Sequence, residues 1–185
     1  ELPGTVPIFP LSGAVLLPGG RLPLNIFEPR YLSMVRDAIA SPHRLIGMIQ
    51  SYDDADEQGR AGALYDIGCA GRISSFSESD DGRVMITLSG TTRFRRLEDH
   101  EVEDGYCLAQ VSWADFEADL APFAGAIQRD HLVNVLHEYF KIKGFTADWD
   151  QLDNCEDERL VTTLSMICPF NVPEKQALLE ANSLP

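Results

Sequence analysis

His137-Glu138 comes nearest to a catalytic motif in this chain. It is the first half of H-E-x-x-H, in which two imidazoles one helical turn apart hold zinc and the glutamate serves as general base. The second half fails, because Lys141 stands where the second histidine must be. His131 cannot replace it: six residues from His137 is about 240° round a helix, a different face. Asp148, Asp150, Asp153, Glu156, Asp157 and Glu158 match a calcium loop in composition only, without the D-x-D-x-D-G order and closing glutamate. They are expected to form a solvated acidic patch at a helix N-terminus. A phosphate loop needs G-x-x-x-x-G-K-[ST], and no Gly-Lys dipeptide occurs. Gly68-x-x-Gly71 and Pro18-Gly19-Gly20 are the size of a bulge and a turn. Ser12, Ser89 and Ser165 stand in no context that marks a nucleophile. No catalytic residue, no metal site and no cofactor is therefore expected, and the chain is not expected to be an enzyme.

Arg93, Arg95 and Arg96 around Phe94 are the one candidate for nucleic acid, since arginines can hold phosphates while an aromatic stacks a base. Glu98, Asp99, Glu101, Glu103 and Asp104 follow at once, so the arginines are expected to be edge charges paired with those acids. The net charge of −14, with 29 carboxylates against 15 Lys and Arg, repels phosphate on average. No run approaches the roughly 18 apolar residues of a membrane span. The start lacks the basic segment of a secretory signal and is interrupted by Pro3, Pro7 and Pro10, so Cys69, Cys107, Cys155 and Cys168, with no C-x-x-C among them, are expected to be free thiols in a reducing cytoplasm. The chain starts at Glu1 and stops just as a helix is finishing, so both ends are expected to be trimmed.

The elements are organised by residues 4–31, with five prolines and four glycines threaded through apolar pairs. Proline removes a donor and fixes φ, so no regular helix or central strand runs through it. The pattern predicts strand, turn at Pro18-Gly19-Gly20, strand, then a helix with Pro29 in its first turn. That helix, 30–40, carries Tyr31, Leu32, Met34, Val35, Ala38 and Ile39 on one stripe, with Arg36 and Asp37 outward. Residues 45–49 are a buried strand, and 52–62 an exposed acidic loop. A long strand over 64–77 bends near Gly68 or Gly71. Asp81-Gly82 sits in a two-residue hairpin turn, and 84–88, 91–97 and 106–113 are strands.

From about residue 115 the signals turn helical. A helix over 120–143, entered near Pro122, ends at Gly144 after Lys141 and Lys143. Residues 148–152 form a short turn. A helix over 157–167 points Leu160, Val161, Leu164 and Ile167 inward, and a last helix opens at Val172-Pro173-Glu174. The class is α+β, divided as 1–117, β-rich with one helix, and 118–185, all helical.

VPIFPLSGAVLLPGGRLPLNIFEPRY resembles the opening of the LON substrate-binding domain family, the amino-terminal domain of Lon proteases. Phe27-Glu28-Pro29-Arg30-Tyr31 is similar to the variant in stand-alone LON-domain proteins and in the LON-like domain of cereblon. Residues 65–73, YDIGCAGRI, and 87–94, TLSGTTRF, resemble two further strands of the family, in the same order. The resemblance covers residues 4–115 well and the helical remainder more loosely. It implies a PUA-like β pseudobarrel followed by a C-terminal helical bundle. It implies a non-catalytic module that binds unfolded or partly folded polypeptide, or a protein partner such as a Lon-type protease, without nucleotide. The ATPase and Ser–Lys protease parts of Lon are absent from the matching region. Leu16, Leu17, Leu22, Leu24, Phe27 and Tyr31 are the residues expected to meet polypeptide, by apolar contact and strand-edge pairing. The alternative is a PUA-like RNA-binding protein resting on Arg93, Arg95 and Arg96; a third, an uncharacterised hydrolase, has no residues to carry it.

Overall fold

The computed structural model describes residues 1–52, 63–121, 127–146 and 155–181. The acidic loop after Tyr52, the helix entry at Pro122 and Phe123, the short turn at 148–152, Asp148, Asp150 and Asp153 of the acidic set, and the end from Asn182 fall outside them.

Val6 and Ile8 alternate along β1 (Thr5–Pro10) and are fully buried. β2 (Arg21–Ile26) follows the Pro-Gly-Gly turn. Glu28 then serves as N-cap of α1 (Pro29–Ala40), with proline at the first helical turn as expected. Tyr31, Met34, Val35 and Ala38 face the core, and Arg36 and Asp37 face out. β3 (Leu45–Ile49) is buried at every residue. β4 (Ile67–Glu78) breaks register between Ala70 and Gly71 and again between Ile73 and Ser75. β5 (Val84–Glu101) runs unbroken through Gly90, and β6 (Cys107–Ser112) returns beside it.

The sheet is ordered β2-β5-β4-β3-β1-β6, and β6 also pairs with β5. The pairing β5–β4–β3–β1–β6–β5 thus returns on itself. β5 is long enough to serve two partners: residues 84–89 pair with β2, and residues 95–101 with β6. β2 hangs on this circuit by one side only. All pairs are antiparallel except β1–β3.

Phe94 is fully buried and lies against two glycines. A Cβ on Gly68 would stand 2.6 Å from its ring, and one on Gly47 2.9 Å. Those glycines let two strands curl over the ring; the close approach at Gly68 was implied by its place in a bending strand, that at Gly47 was not. The β4–β5 hairpin corrects one expectation. The Ser79 N–H donates to Arg83 O (2.9 Å) and the Gly82 N–H to Ser79 O (2.9 Å), with Gly82 at φ 79°. Three residues therefore close the turn, with the glycine left-handed in third place, rather than two.

A 3-10 helix (Ala114–Leu120) leads out of the sheet. α2 (Arg129–Lys143) starts later than expected, leaving Ile127 and Gln128 outside it. It ends as expected at Gly144, φ 71°, where the Phe145 N–H donates to Phe140 O (2.9 Å). α3 (Asp157–Ile167) buries Leu160 and Leu164, but Ile167 is 66% exposed, against expectation. Thr162 and Ser165 are buried in its place, and the Thr162 methyl packs on the turn at Gly20, where an added Cβ would lie 3.2 Å from it. α4 (Val172–Glu180) is opened by a capping box between Asn171 and Glu174, which satisfies two end donors at once. Leu136, Leu160, Leu164 and Cys168 make a separate small core, whereas Leu179 of α4 joins the main one. A mostly antiparallel sheet with one helix among its strands, followed by helices, makes the chain α+β. Among the described residues no helix is long and apolar enough to cross a membrane.

Candidate functional site

The six residues expected to meet polypeptide come together around the β2 ladder, but their exposure differs. Leu16, Leu17, Leu24 and Tyr31 are buried, and Leu22 packs partly buried on the same core. Phe27 alone is open, at 62%. The loop before β2 is clamped to β5, and this is what buries Leu16 and Leu17. The Gly19 N–H donates to Gly90 O (3.0 Å) and the Gly90 N–H to Gly20 O (2.8 Å). Tyr31 meets Phe9 edge-on at 4.4 Å between ring centres and lies under the Arg30 guanidinium. Burial pushes its hydroxyl pKa up. Phe27, just past the end of β2, carries the Arg83 guanidinium 5.9 Å above its ring.

Two exposed apolar residues near that ladder were missed: Phe76 on β4 (49%) and Met85 on β5 (47%). Across the sheet, Leu24 pairs with Ile86 and Ile86 with Phe76. This row is buried in β2 and β5 and half open at β4. The signal for Phe76 was a single aromatic set in the polar run Ser-Ser-Phe-Ser-Glu.

The arginines are taken by other work. Arg93 Nη2 and Nε donate to the two carboxylate oxygens of Asp119 (2.7 and 2.9 Å), and both side chains are nearly buried. Arg93 Nη1 donates to Leu179 O (3.1 Å) and Ala181 O (2.7 Å) at the end of α4. Its guanidinium lies 4.7 Å from the Phe116 ring centre. Arg95 pairs with Asp115 (2.8 Å), and Arg96 with Asp99 and Asp66. Of the acids expected as partners only Asp99 is used; the others come from the 3-10 helix and the β4 approach, which the strand curl brings beneath β5. Arg93, nearly buried in this pairing, is not presented to phosphate, whereas Arg95 keeps its ion pair at the surface.

No group of three His, Cys, Asp or Glu that could hold a metal occurs among the described residues. His131 and His137 are exposed on α2. Ser89 Oγ donates to Ser74 Oγ (3.0 Å), and Ser165 is buried. The four cysteines are free. Burial pushes the thiols of Cys69, Cys107 and Cys168 up, away from the thiolate a nucleophile needs. A groove of about 190 Å³ lies between β1 and α1, with Val6, Pro7, Ala38 and Leu108 in its walls. At it the Tyr106 hydroxyl donates to Asp37 Oδ2 (2.6 Å), and burial, then this carboxylate, pushes the hydroxyl pKa up to about 12.

The family model of the ATP-dependent protease La (LON) substrate-binding domain matches residues 5–185. A Lon protease of Flavobacterium johnsoniae is 26% identical over 190 residues, which cover 100% of this chain and 23% of that protein. Lon protease 1 of Bdellovibrio bacteriovorus is 25% identical over 96% of this chain and 22% of its own length. The chain thus spans less than a quarter of those curated relatives. Among solved structures, a Lon N-terminal domain protein from Xanthomonas campestris superposes with a TM-score of 0.64 at 26% identity, covering 97% of this chain and 91% of that one. The N-terminal domain of a Mycobacterium avium complex Lon protease, at 15% identity and the same TM-score, shares the fold. The matched region is the non-catalytic one, not the ATPase or protease domains. Over all but its first four residues, this chain belongs to the LON substrate-binding domain family.

Proposed function

We propose that this chain binds unfolded or partly folded polypeptide, or a protein partner such as a Lon-type protease, in the cytoplasm and without nucleotide. The match to a substrate-binding domain over residues 5–185 carries this reading. Contact is apolar. Phe27 touches the bound chain, while Leu16, Leu17, Leu22, Leu24 and Tyr31 hold the surface beneath it in shape. The strand circuit is taken as the PUA-like pseudobarrel of the family, with the helical bundle as a second subdomain, 1–117 and 118–185. Specific observations do not favour the RNA alternative, since Arg93, Arg95 and Arg96 are engaged by carboxylates.

The test is fluorescence anisotropy of a labelled, reduced and alkylated protein titrated with this chain, without ATP, at low and physiological salt. Saturable binding that survives salt is expected, because apolar contact is not screened. Phe27→Ser is expected to weaken it severalfold, since an exposed aromatic supplies much of a small patch. Absence of binding at both salts refutes polypeptide binding, and binding that collapses with salt points to charge instead.

A further inference from the structure

We propose that the distal edge of β4, at Phe76 and Glu78, accepts an extended polypeptide as an added strand. This rests on the polypeptide-binding reading above and names where the chain is held and in what conformation.

The direction of the backbone groups follows from the ladder. In a strand, successive N–H and C=O groups point to opposite sides. The Ser79 N–H donates to Arg83 O, so Ser79 points at β5. Counting back in twos, Ser77 and Ser75 also point at β5, opposite Met85 and Thr87. Phe76 and Glu78 therefore point the other way. On that side β3 covers β4 only from Cys69 to Arg72, and the Ile73 N–H reaches Arg44 O. Beyond the bulge at Ser74 β5 is the one strand among the described residues that pairs with β4, so the side away from β5 has none, and 74–78 are all exposed. The donors and acceptors of Phe76 and Glu78 are open for one more strand.

The second open edge, on β2, is guarded. Gly90 bonds to Gly20, so even-numbered residues of β5 face β2, and Leu22, Leu24 and Ile26 make the ladder. The outward positions are Arg21, Pro23 and Asn25, and Pro23 has no N–H to offer. Proline at an edge blocks pairing. β4 has no proline between Ile67 and Glu78.

Side chains fit the same occupant. The row Leu24–Ile86–Phe76 goes from 8% and 2% exposed to 49% at the edge. An added strand would lie about 4.8 Å away and set one apolar side chain against the open flank of Phe76. Glu78, Asp80 and Asp81 rim the hairpin end, while Arg83 is held by Asp81 (3.1 Å). The occupant is therefore an extended segment with apolar residues at alternate positions and a basic residue at the end nearest the hairpin.

The experiment uses a labelled peptide of alternating Val and Thr with a terminal Lys, alongside the same peptide with a central proline. Amide hydrogen exchange is followed by residue-resolved NMR, with binding by anisotropy. On saturation the Phe76 and Glu78 amides are expected to slow about tenfold or more, while Ser75 and Ser77, already in the ladder, change little. Glu78→Pro, which removes an outward donor together with a rim carboxylate, and Phe76→Thr, which removes the flank, are each expected to weaken binding about tenfold, while Glu78→Gln, which keeps the donor, weakens it less; the central-proline peptide binds as poorly as the proline variant. Saturation by peptide with the Phe76 and Glu78 amides unchanged overturns the edge while leaving polypeptide binding intact. Protection that rises with the concentration of this chain alone assigns the edge to a second copy and also overturns it. Absence of binding by both the peptide and the alkylated protein removes the underlying reading, and the edge with it.

Discussion

Gly90→Ala is the sharpest probe of how the opening loop is held. Gly90 is not in the left-handed region, so alanine suits its backbone and the whole effect is steric. The new Cβ would lie 2.0 Å from Leu17 O and 2.9 Å from the carbonyl carbon. Both are backbone atoms that no rotamer change can move aside. Loop or strand must give by about 1 Å or more, which the Gly19–Gly90 and Gly90–Gly20 hydrogen bonds do not survive. Two such bonds contribute about 1 kcal/mol each. Leu16 and Leu17 would be partly uncovered; losing about half of the roughly 2 kcal/mol that each buried leucine contributes adds about 2 kcal/mol. The sum is about 4 kcal/mol, and at about 2–4 °C per kcal/mol for a chain of this length Tm should fall by about 8–16 °C. Gly82→Ala is the control: φ is 79° with nothing within 4 Å, so only about 1–2 kcal/mol of left-handed strain applies. Thermal unfolding by circular dichroism compares them, with a dye for exposed apolar surface. A Gly90→Ala protein that melts no lower than Gly82→Ala would refute the clamp.

Arg93→Met should be among the most destabilising single changes in β5, by about 3–5 kcal/mol, because it leaves the nearly buried Asp119 carboxylate unpaired. It also strips the end of α4. Adding Asp119→Leu should recover part of the loss in urea midpoint, and a single variant within 1 kcal/mol of the parent would show that the pair is idle. Tyr106 gives a pH signature. Its folded pKa, about 12, lies above the ordinary value of about 10, so the fold favours the neutral phenol. Its contribution is complete below pH 10 and is lost as pH rises through about 12. Urea midpoints of the parent should fall more steeply across that window than those of Tyr106→Phe; parallel slopes would place the hydroxyl in water.

The order of elements was legible because its signals are local. Pro29 after Glu28, Gly144 after Lys141 and Lys143, and the alternation of 106–113 each answer to the backbone within a few residues. What depends on distant partners was not. Ile167 fits an apolar stripe, yet it points to solvent, since Thr162 and Ser165 take the covered side of α3. Arg93 has five carboxylates close by in sequence but is met by Asp119 and the end of α4, 26 and 86 residues on. Local charge balance suggested an ion pair and could not say which.

The candidate site shows the same limit more sharply. Apolar residues broken by proline identified the right stretch, because such residues either fill a core or make a surface. Deciding which needs the clamp from Gly90, 70 residues beyond Gly20. Phe76 was hidden by the bulge. With strict alternation, Ile73 and Phe76, three residues apart, lie on opposite faces; one extra residue at Ser74 puts them on the same face, opposite Leu88 and Ile86. The cover from β3 ends at the same place, because β3 begins at Leu45 opposite Arg72 and the Ile73 N–H takes the carbonyl of Arg44 just before it. The bulge therefore sets the half-open aromatic ring in the apolar row, and the start of β3 leaves the backbone beside it uncovered by any strand among the described residues. Deleting Ser74 would leave Ile73 and Phe76 two positions apart, still on one face and still opposite Leu88 and Ile86, so the apolar row should survive the deletion, whereas a second insertion beside Ser74 should turn Phe76 to the polar face.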